Sequence, residues 1–334
     1  MNNMAVWYRR ICLFATALAL VVTVMGAWVR LSDAGLGCPD WPGCYGSLVV
    51  PSESAEVVAA EEAFPQRPLE ASKAWKEMIH RYAASTLGFS ITLIALFAWL
   101  NRRDPKQAVK VPIALFFLVC FQGMLGMWTV TLLLKPLIVM GHLLGGLSTL
   151  GLLFWLVLEN RYPAQEGKNY ALPTAGIAAL LVLIGQLALG GWTSSNYAAL
   201  ACPDLPTCVG KWWPEEADFA EGFVMWRGLG VDYEFGILDT PARVAIHLTH
   251  RIGAIVAFLF ILFAAHKYMR GGTPRMKTAA ALALVALTAQ ISLGLATVWF
   301  GLPLLVATSH NMVAALLLLS VINLNHAALR EDQP

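Results

Sequence analysis

Apolar residues run along this chain in blocks of about 20, the length a helix needs to cross a bilayer core of roughly 30 Å. The blocks predict eight spans, at about 9–30, 75–100, 109–132, 137–158, 171–193, 242–267, 276–299 and 303–326. Strand-length segments of alternating polarity do not occur, which excludes an outer-membrane barrel. The first block follows Arg9 and Arg10 and runs from Ile11 to Val29. It is longer than a signal-peptide core and ends without a small-x-small cleavage site, so it reads as a retained span. The fold class is an all-α polytopic membrane protein.

Composition agrees. Of the 334 residues 58% are hydrophobic and 13% charged, against about 25% charged in soluble proteins. A net charge of +2, with scattered basic residues, gives no footprint for nucleic acid. The loops sort by charge. Arg9 and Arg10, then Arg102, Arg103, Lys106 and Lys110, then Arg161 and Lys168, then Lys267, Arg270, Arg275 and Lys277 all fall on one side. The opposite side has little beyond Lys135 in its short turns. The positive-inside rule therefore puts both termini in the cytoplasm and two long loops, about 31–74 and 194–241, outside. No transit peptide precedes the first span, and a bacterial inner membrane is the expected home.

The long loops expose a repeat. Cys38-Pro-Asp-Trp-Pro-Gly-Cys44 in one matches Cys202-Pro-Asp-Leu-Pro-Thr-Cys208 in the other. A disulfide within each loop is the expectation on an oxidising face, with reduced thiol pairs for redox work as the alternative. Gly26 and Trp28 match Gly190 and Trp192 at the same spacing of 164 as the cysteines, and Gln122-Gly-Met-Leu-Gly126 matches Gln290-Ile-Ser-Leu-Gly294 at 168. Two halves, 1–160 and 161–334, each hold four spans. An even span number returns the chain to its starting side, so the expected arrangement is two four-helix bundles in a parallel internal repeat.

The repeat also pairs histidines: His80 with His250, and His142 with His310. All four fall roughly 8 to 12 Å inside the outer ends of even-numbered spans, at about 1.5 Å per helical residue. Ionisable residues within spans point to function. A single histidine would be read as a helix–helix hydrogen bond, but four at matched depth point to two bis-histidine hemes, His80 with His142 and His250 with His310. His266 and His326 lie near the cytoplasmic span ends and carry no assigned role. Arg81 and Arg251 follow the first histidine of each half and suit heme propionates or interfacial snorkelling. Glu77 lies one turn before His80, where the other half has His247. It can relay a proton beside a macrocycle, or cap the span. A di-iron carboxylate centre needs about four carboxylates, and only Glu77 is placed for one. A proton-coupled transporter would leave the four histidines unexplained.

Taken together, Glu77-x-x-His80-Arg81, Gly141-His142, His250-Arg251, Ser309-His310-Asn311 and Gly35-Leu-Gly-Cys38-Pro-Asp-Trp-Pro-x-Cys44 resemble the motifs of heme A synthase, from the first span to the last. That family converts heme O to heme A for terminal cytochrome oxidases. The resemblance implies an oxidoreductase that turns one porphyrin methyl into a formyl group by successive hydroxylations. It implies a resident heme b on His250 and His310, and substrate heme O on His80 and His142 with Glu77 as the catalytic residue. It implies that Cys38–Cys44 is the functional cysteine pair, as disulfide or thiols. The partners it implies are the membrane enzyme that makes heme O, a quinol, thiol or ferredoxin-type electron donor, and the lipid bilayer, with a homo-oligomer left open. The competing expectation is a diheme b-type electron-transfer protein with no chemistry on its heme.

Overall fold

The computed structural model describes residues 3–105, 107–163 and 171–330, so Lys106 and Lys168 lie outside the described residues. Among the described residues eight helices are long and apolar enough to cross a membrane. They are α1 (Asn3–Leu31), α3 (Ala71–Leu100), α4 (Lys110–Thr131), α5 (Pro136–Arg161), α6 (Thr174–Ser195), α8 (Thr240–Gly271), α9 (Pro274–Trp299) and α10 (Leu304–Arg330). Two short helices lie in the long loops, α2 (Ser54–Ala63), which carries Glu56, Glu61 and Glu62, and α7 (Phe219–Gly222).

Several helices outrun their apolar blocks because capping, not hydropathy, sets their ends. Asp239 accepts the amide of Ala242 at 3.1 Å and Pro241 opens the first turn, so α8 starts at Thr240, before its apolar block. Thr273 accepts the amide of Met276 at 3.3 Å and Pro274 follows it. Side-chain acceptors at these positions satisfy amides that have no partner within the helix.

Helices α1, α3, α4 and α5 touch in a ring, each against the next and α5 against α1. Helices α6, α8, α9 and α10 form a second ring in the same cyclic order. The rings meet where α5 packs on α6 and α10, and α1 on α10. Leu147, Leu150 and Leu153 of α5 are buried there with Leu317, Leu318 and Val321 of α10. A Cβ on Gly151 would come within 2.9 Å of the Ile322 Cδ1 methyl, so α5 and α10 pack closely here.

At the end away from the long loops, His326 is fully buried, edge-on to Trp155 at 4.9 Å. An Arg275 Nη lies 2.9 Å from its Nδ1, and Arg330 pairs with Glu159 at 2.5 Å. This cluster ties α5 of one ring to α9 and α10 of the other.

The loop end is tied across the rings as well. Arg67 pairs with Asp232 at 2.7 Å and with Glu234. Tyr233 donates its amide to Leu133 O at 3.1 Å and buries its ring against Leu36, Val130 and Leu134. Lys135, the lone basic residue of its turn, is 2% exposed. Its ammonium donates to Gly228 O at 2.8 Å and to Arg227 O, and stands 3.5 Å above the Trp226 ring. The second long loop therefore lies over the first ring. Trp226 takes part in that contact through Lys135 while staying exposed, as Trp212 and Trp213 do.

Candidate functional site

Cys38–Cys44 and Cys202–Cys208 are both disulfides, with Cα atoms 4.8 and 4.6 Å apart. Each closes a small hairpin, bridged at Cys44 with Ser47 and at Cys208 with Lys211. Asp40 caps the first hairpin by accepting the amides of Tyr45 and Gly46 at 2.6 and 2.8 Å. Asp204 does the same for Val209 and Gly210 at 2.6 and 3.0 Å, and also accepts from the Thr207 hydroxyl. Those donors, the Thr207 hydroxyl first, hold the Asp204 carboxyl below its usual range.

The hairpins sit directly on the histidine-bearing helices. Arg81 donates to Asp40 O at 3.0 Å, to Pro42 O at 3.2 Å and to Gly43 O. Arg251 donates to Cys202 O at 2.7 Å, Asp204 O at 2.9 Å and Thr207 O at 2.7 Å. Both guanidiniums are thus engaged by loop carbonyls, partners that the sequence alone does not name. The arginines are donors with a planar fork, and the hairpin carbonyls are the unsatisfied acceptors nearest to hand.

Glu77 is 5% exposed, and its carboxylate accepts the Cys38 amide at 2.9 Å and an Arg81 Nη at 2.5 Å. His247, its counterpart, is 4% exposed and its Nδ1 accepts the Cys202 amide at 3.2 Å. The two residues make the same contact with the first cysteine of their hairpins. They differ in charge: a carboxylate stands on the first half and an imidazole on the second.

The four paired histidines occupy equivalent places. A Cβ on Gly26 of α1 would lie 3.1 Å from His80 Cε1, and one on Gly190 of α6 3.3 Å from His250 Cε1. The same holds for Gly126 of α4 against His142 at 3.5 Å, and for Gly294 of α9 against His310 at 3.1 Å. Each imidazole thus packs on a bare stretch of neighbouring backbone; a Cβ would crowd His80, His250 and His310 and would meet His142 at ordinary contact distance. His80 and His142 lie within electrostatic range of each other, as do His250 and His310. His80, His142 and His310 each keep a buried Nδ1 without a hydrogen bond. Buried ring nitrogens left unpartnered on both histidines of the first half and on His310 of the second fit a heme iron, which takes up such nitrogens as axial ligands.

Glutamines not assigned a role from sequence separate the halves. Gln186 Nε2 lies 3.0 Å from His250 Nδ1 and donates to His250 O at 3.0 Å. Gln290 Nε2 lies 3.2 Å from His310 Nε2. Among the described residues of the first half no glutamine is bonded to His80 or His142; Gln122 lies across Gly145 instead, its Nε2 buried and unpartnered. The repeat of Gln122 with Gln290 was visible in sequence, but Gln186 has Val22 at the equivalent position and left no trace there.

The family model described as cytochrome oxidase assembly protein, COX15-CtaA, matches residues 9–322. A heme A synthase of Shewanella oneidensis is 46% identical over 324 residues, covering 96% of this chain and 95% of the relative. A heme A synthase of Rhizorhabdus wittichii is 30% identical, over 97% and 94% of the two chains. One of Halalkalibacterium halodurans is 23% identical, over 90% and 91%. With the paired histidines, the two hairpins and a match along nearly its whole length, the chain belongs to the COX15-CtaA family of cytochrome oxidase assembly proteins, whose curated relatives are heme A synthases.

Proposed function

We propose that this protein is a heme A synthase, an oxidoreductase that converts heme O to heme A in a bacterial inner membrane. The full-length likeness to curated heme A synthases is the observation that carries the reading. The charge difference between Glu77 and His247 at otherwise equivalent sites supports placing the chemistry in the first half.

In this reading residues 1–160 hold the substrate. His80 and His142 would take heme O between them, making the first cleft, and the Nδ1 of each has no protein partner to displace. Residues 161–334 hold a resident heme b on His250 and His310. Gln186 and Gln290 fix those two imidazoles, as hydrogen-bond partners of ligating histidines do. The heme b supplies one-electron transfer.

The methyl-to-formyl conversion removes four electrons from one carbon in two hydroxylations, and loss of water from the doubly hydroxylated carbon leaves the formyl group. Each hydroxylation moves protons at the reacting edge, and Glu77 relays them, since each carboxylate oxygen keeps a second lone pair beyond its bond to Cys38 or Arg81. Arg81 and the Cys38–Cys44 hairpin hold that carboxylate in place and close the loop end to water. The termini lie in the cytoplasm and the hairpins in the periplasm. Heme O comes from the membrane enzyme that makes it, and electrons come from a quinol, thiol or ferredoxin-type donor.

Expression with a source of heme O, followed by pigment extraction, tests the reading. Heme A in the extract is the expected result. A return of heme b alone would replace the reading with a diheme electron-transfer protein. His250→Ala or His310→Ala is expected to abolish the low-spin heme b spectrum, and an unchanged spectrum would overturn the resident-heme assignment.

A further inference from the structure

Gln122 is 9% exposed, and its side-chain Nε2 is buried without a hydrogen-bond partner. A buried amide left this way costs free energy that an apolar residue of the same shape would not. Its surroundings explain how it fits. The amide lies where a Cβ on Gly145 would be, so Gly145 gives it room. In the other half Val313 stands at the position of Gly145, and Gln290 turns up to His310 instead.

The position relative to His142 gives the amide a use. Gly126 packs on the His142 ring, and Gln122 lies four residues from Gly126 on α4, in the direction away from the long loops. Gly145 lies three residues beyond His142 on α5, in the same direction. One turn is about 5.4 Å, roughly the distance from a porphyrin's centre to its edge. The substrate's two propionates are charged and belong at the hydrated loop end, because burying them deeper is costly. The opposite edge of heme O bears the carbon that carries both a hydroxyl and the isoprenoid chain. In heme B that carbon is part of a vinyl group and has no hydroxyl.

We propose that Gln122 is the residue that selects the substrate, its amide hydrogen-bonding the hydroxyl beside the isoprenoid chain of heme O. The proposal rests on the assignment of the first cleft to heme O. It makes Gln122 a specificity residue and leaves the oxidation itself to the groups at the loop end.

The test uses two hemes that differ in the hydroxyl alone: iron hematoporphyrin, with hydroxyethyl groups, and iron mesoporphyrin, with ethyl groups. Each is titrated into the purified full-length protein carrying its resident heme, and the Soret change is followed. Loss of that change in His142→Ala shows that it reports the first cleft. The wild-type protein is expected to bind the hydroxyethyl heme about tenfold more tightly, the scale of one retained hydrogen bond. Gln122→Leu is expected to bind both alike. Equal binding by the wild-type protein, or an unchanged preference in Gln122→Leu, overturns the proposal and leaves the cleft assignment standing. Binding of neither heme at His142 overturns the cleft assignment, and this proposal with it.

Discussion

Glu77 and His247 do one job in common and differ in a second. Both accept the amide of the first hairpin cysteine, but only Glu77 can hold a negative charge beside its arginine. Glu77→His therefore separates the two roles. The variant copies the second half, so the Cys38 amide keeps an acceptor while the carboxylate is gone. It is expected to keep the low-spin heme b spectrum and lose heme A formation, as measured by pigment extraction. Wild-type heme A output in Glu77→His would make Glu77 a positioning residue for the hairpin. Glu77→Ala removes both roles and strands the buried Cys38 amide, at a cost of about 1–3 kcal/mol.

Much of the residue-scale picture was legible in the sequence, because histidines and a glutamate inside apolar blocks are conspicuous. The partners of Arg81 and Arg251 were not. A backbone carbonyl leaves no mark on a sequence, and the carbonyls in question come from loops some 40 residues upstream on the chain.

At the scale of elements, the bare helix surfaces set where each imidazole lies. Gly190→Val is expected to push the His250 ring, which leaves a Cβ there only 3.3 Å, and so to weaken or broaden the low-spin heme b band. Gly123→Ala serves as the comparison, since nothing lies within 4 Å of its Cβ. An unaltered spectrum in Gly190→Val would remove the steric account. The glycines were visible from sequence as members of the repeat, but a glycine in a span reads equally as helix packing.

The hairpins carry a pH dependence of known sign. The Asp204 carboxyl is held below its usual 3.8 by the Thr207 hydroxyl and the Val209 and Gly210 amides. A depressed folded value means its stabilisation is complete above the unfolded value and is lost as pH falls below about 4. Proteolysis of the second long loop is expected to accelerate in that range, and Asp204→Asn should already be cut faster at neutral pH. Equal cleavage rates for the two proteins at neutral pH would remove Asp204 as the hairpin's clasp.

For the whole molecule, the rings of helices are joined at both ends, and the loop-end joint is the one that bears on chemistry. The apolar blocks alone predicted the eight spanning helices. The crossing of the second long loop onto the first ring was hidden, since nothing in the order of residues sets Arg67 opposite Asp232 and Glu234. Arg67 is 26% exposed, Asp232 49% and Glu234 14%. The exposed pair is screened and contributes little, so most of the effect belongs to Glu234. Arg67→Glu turns the joint into three like charges and is expected to lift the Tyr233 segment from Leu36, Val130 and Leu134. Water would then reach the loop end of the first cleft. The expected outcome is lower heme A yield with the heme b spectrum intact, because His250 and His310 lie in the other ring. Restoring opposite charge with Glu234→Lys in the same protein should recover most of the yield. A yield that stays low in the double variant, with the fold intact, would mean that Arg67 acts on its own side of the joint and that the strap over the first ring is held by Lys135 and Tyr233 alone.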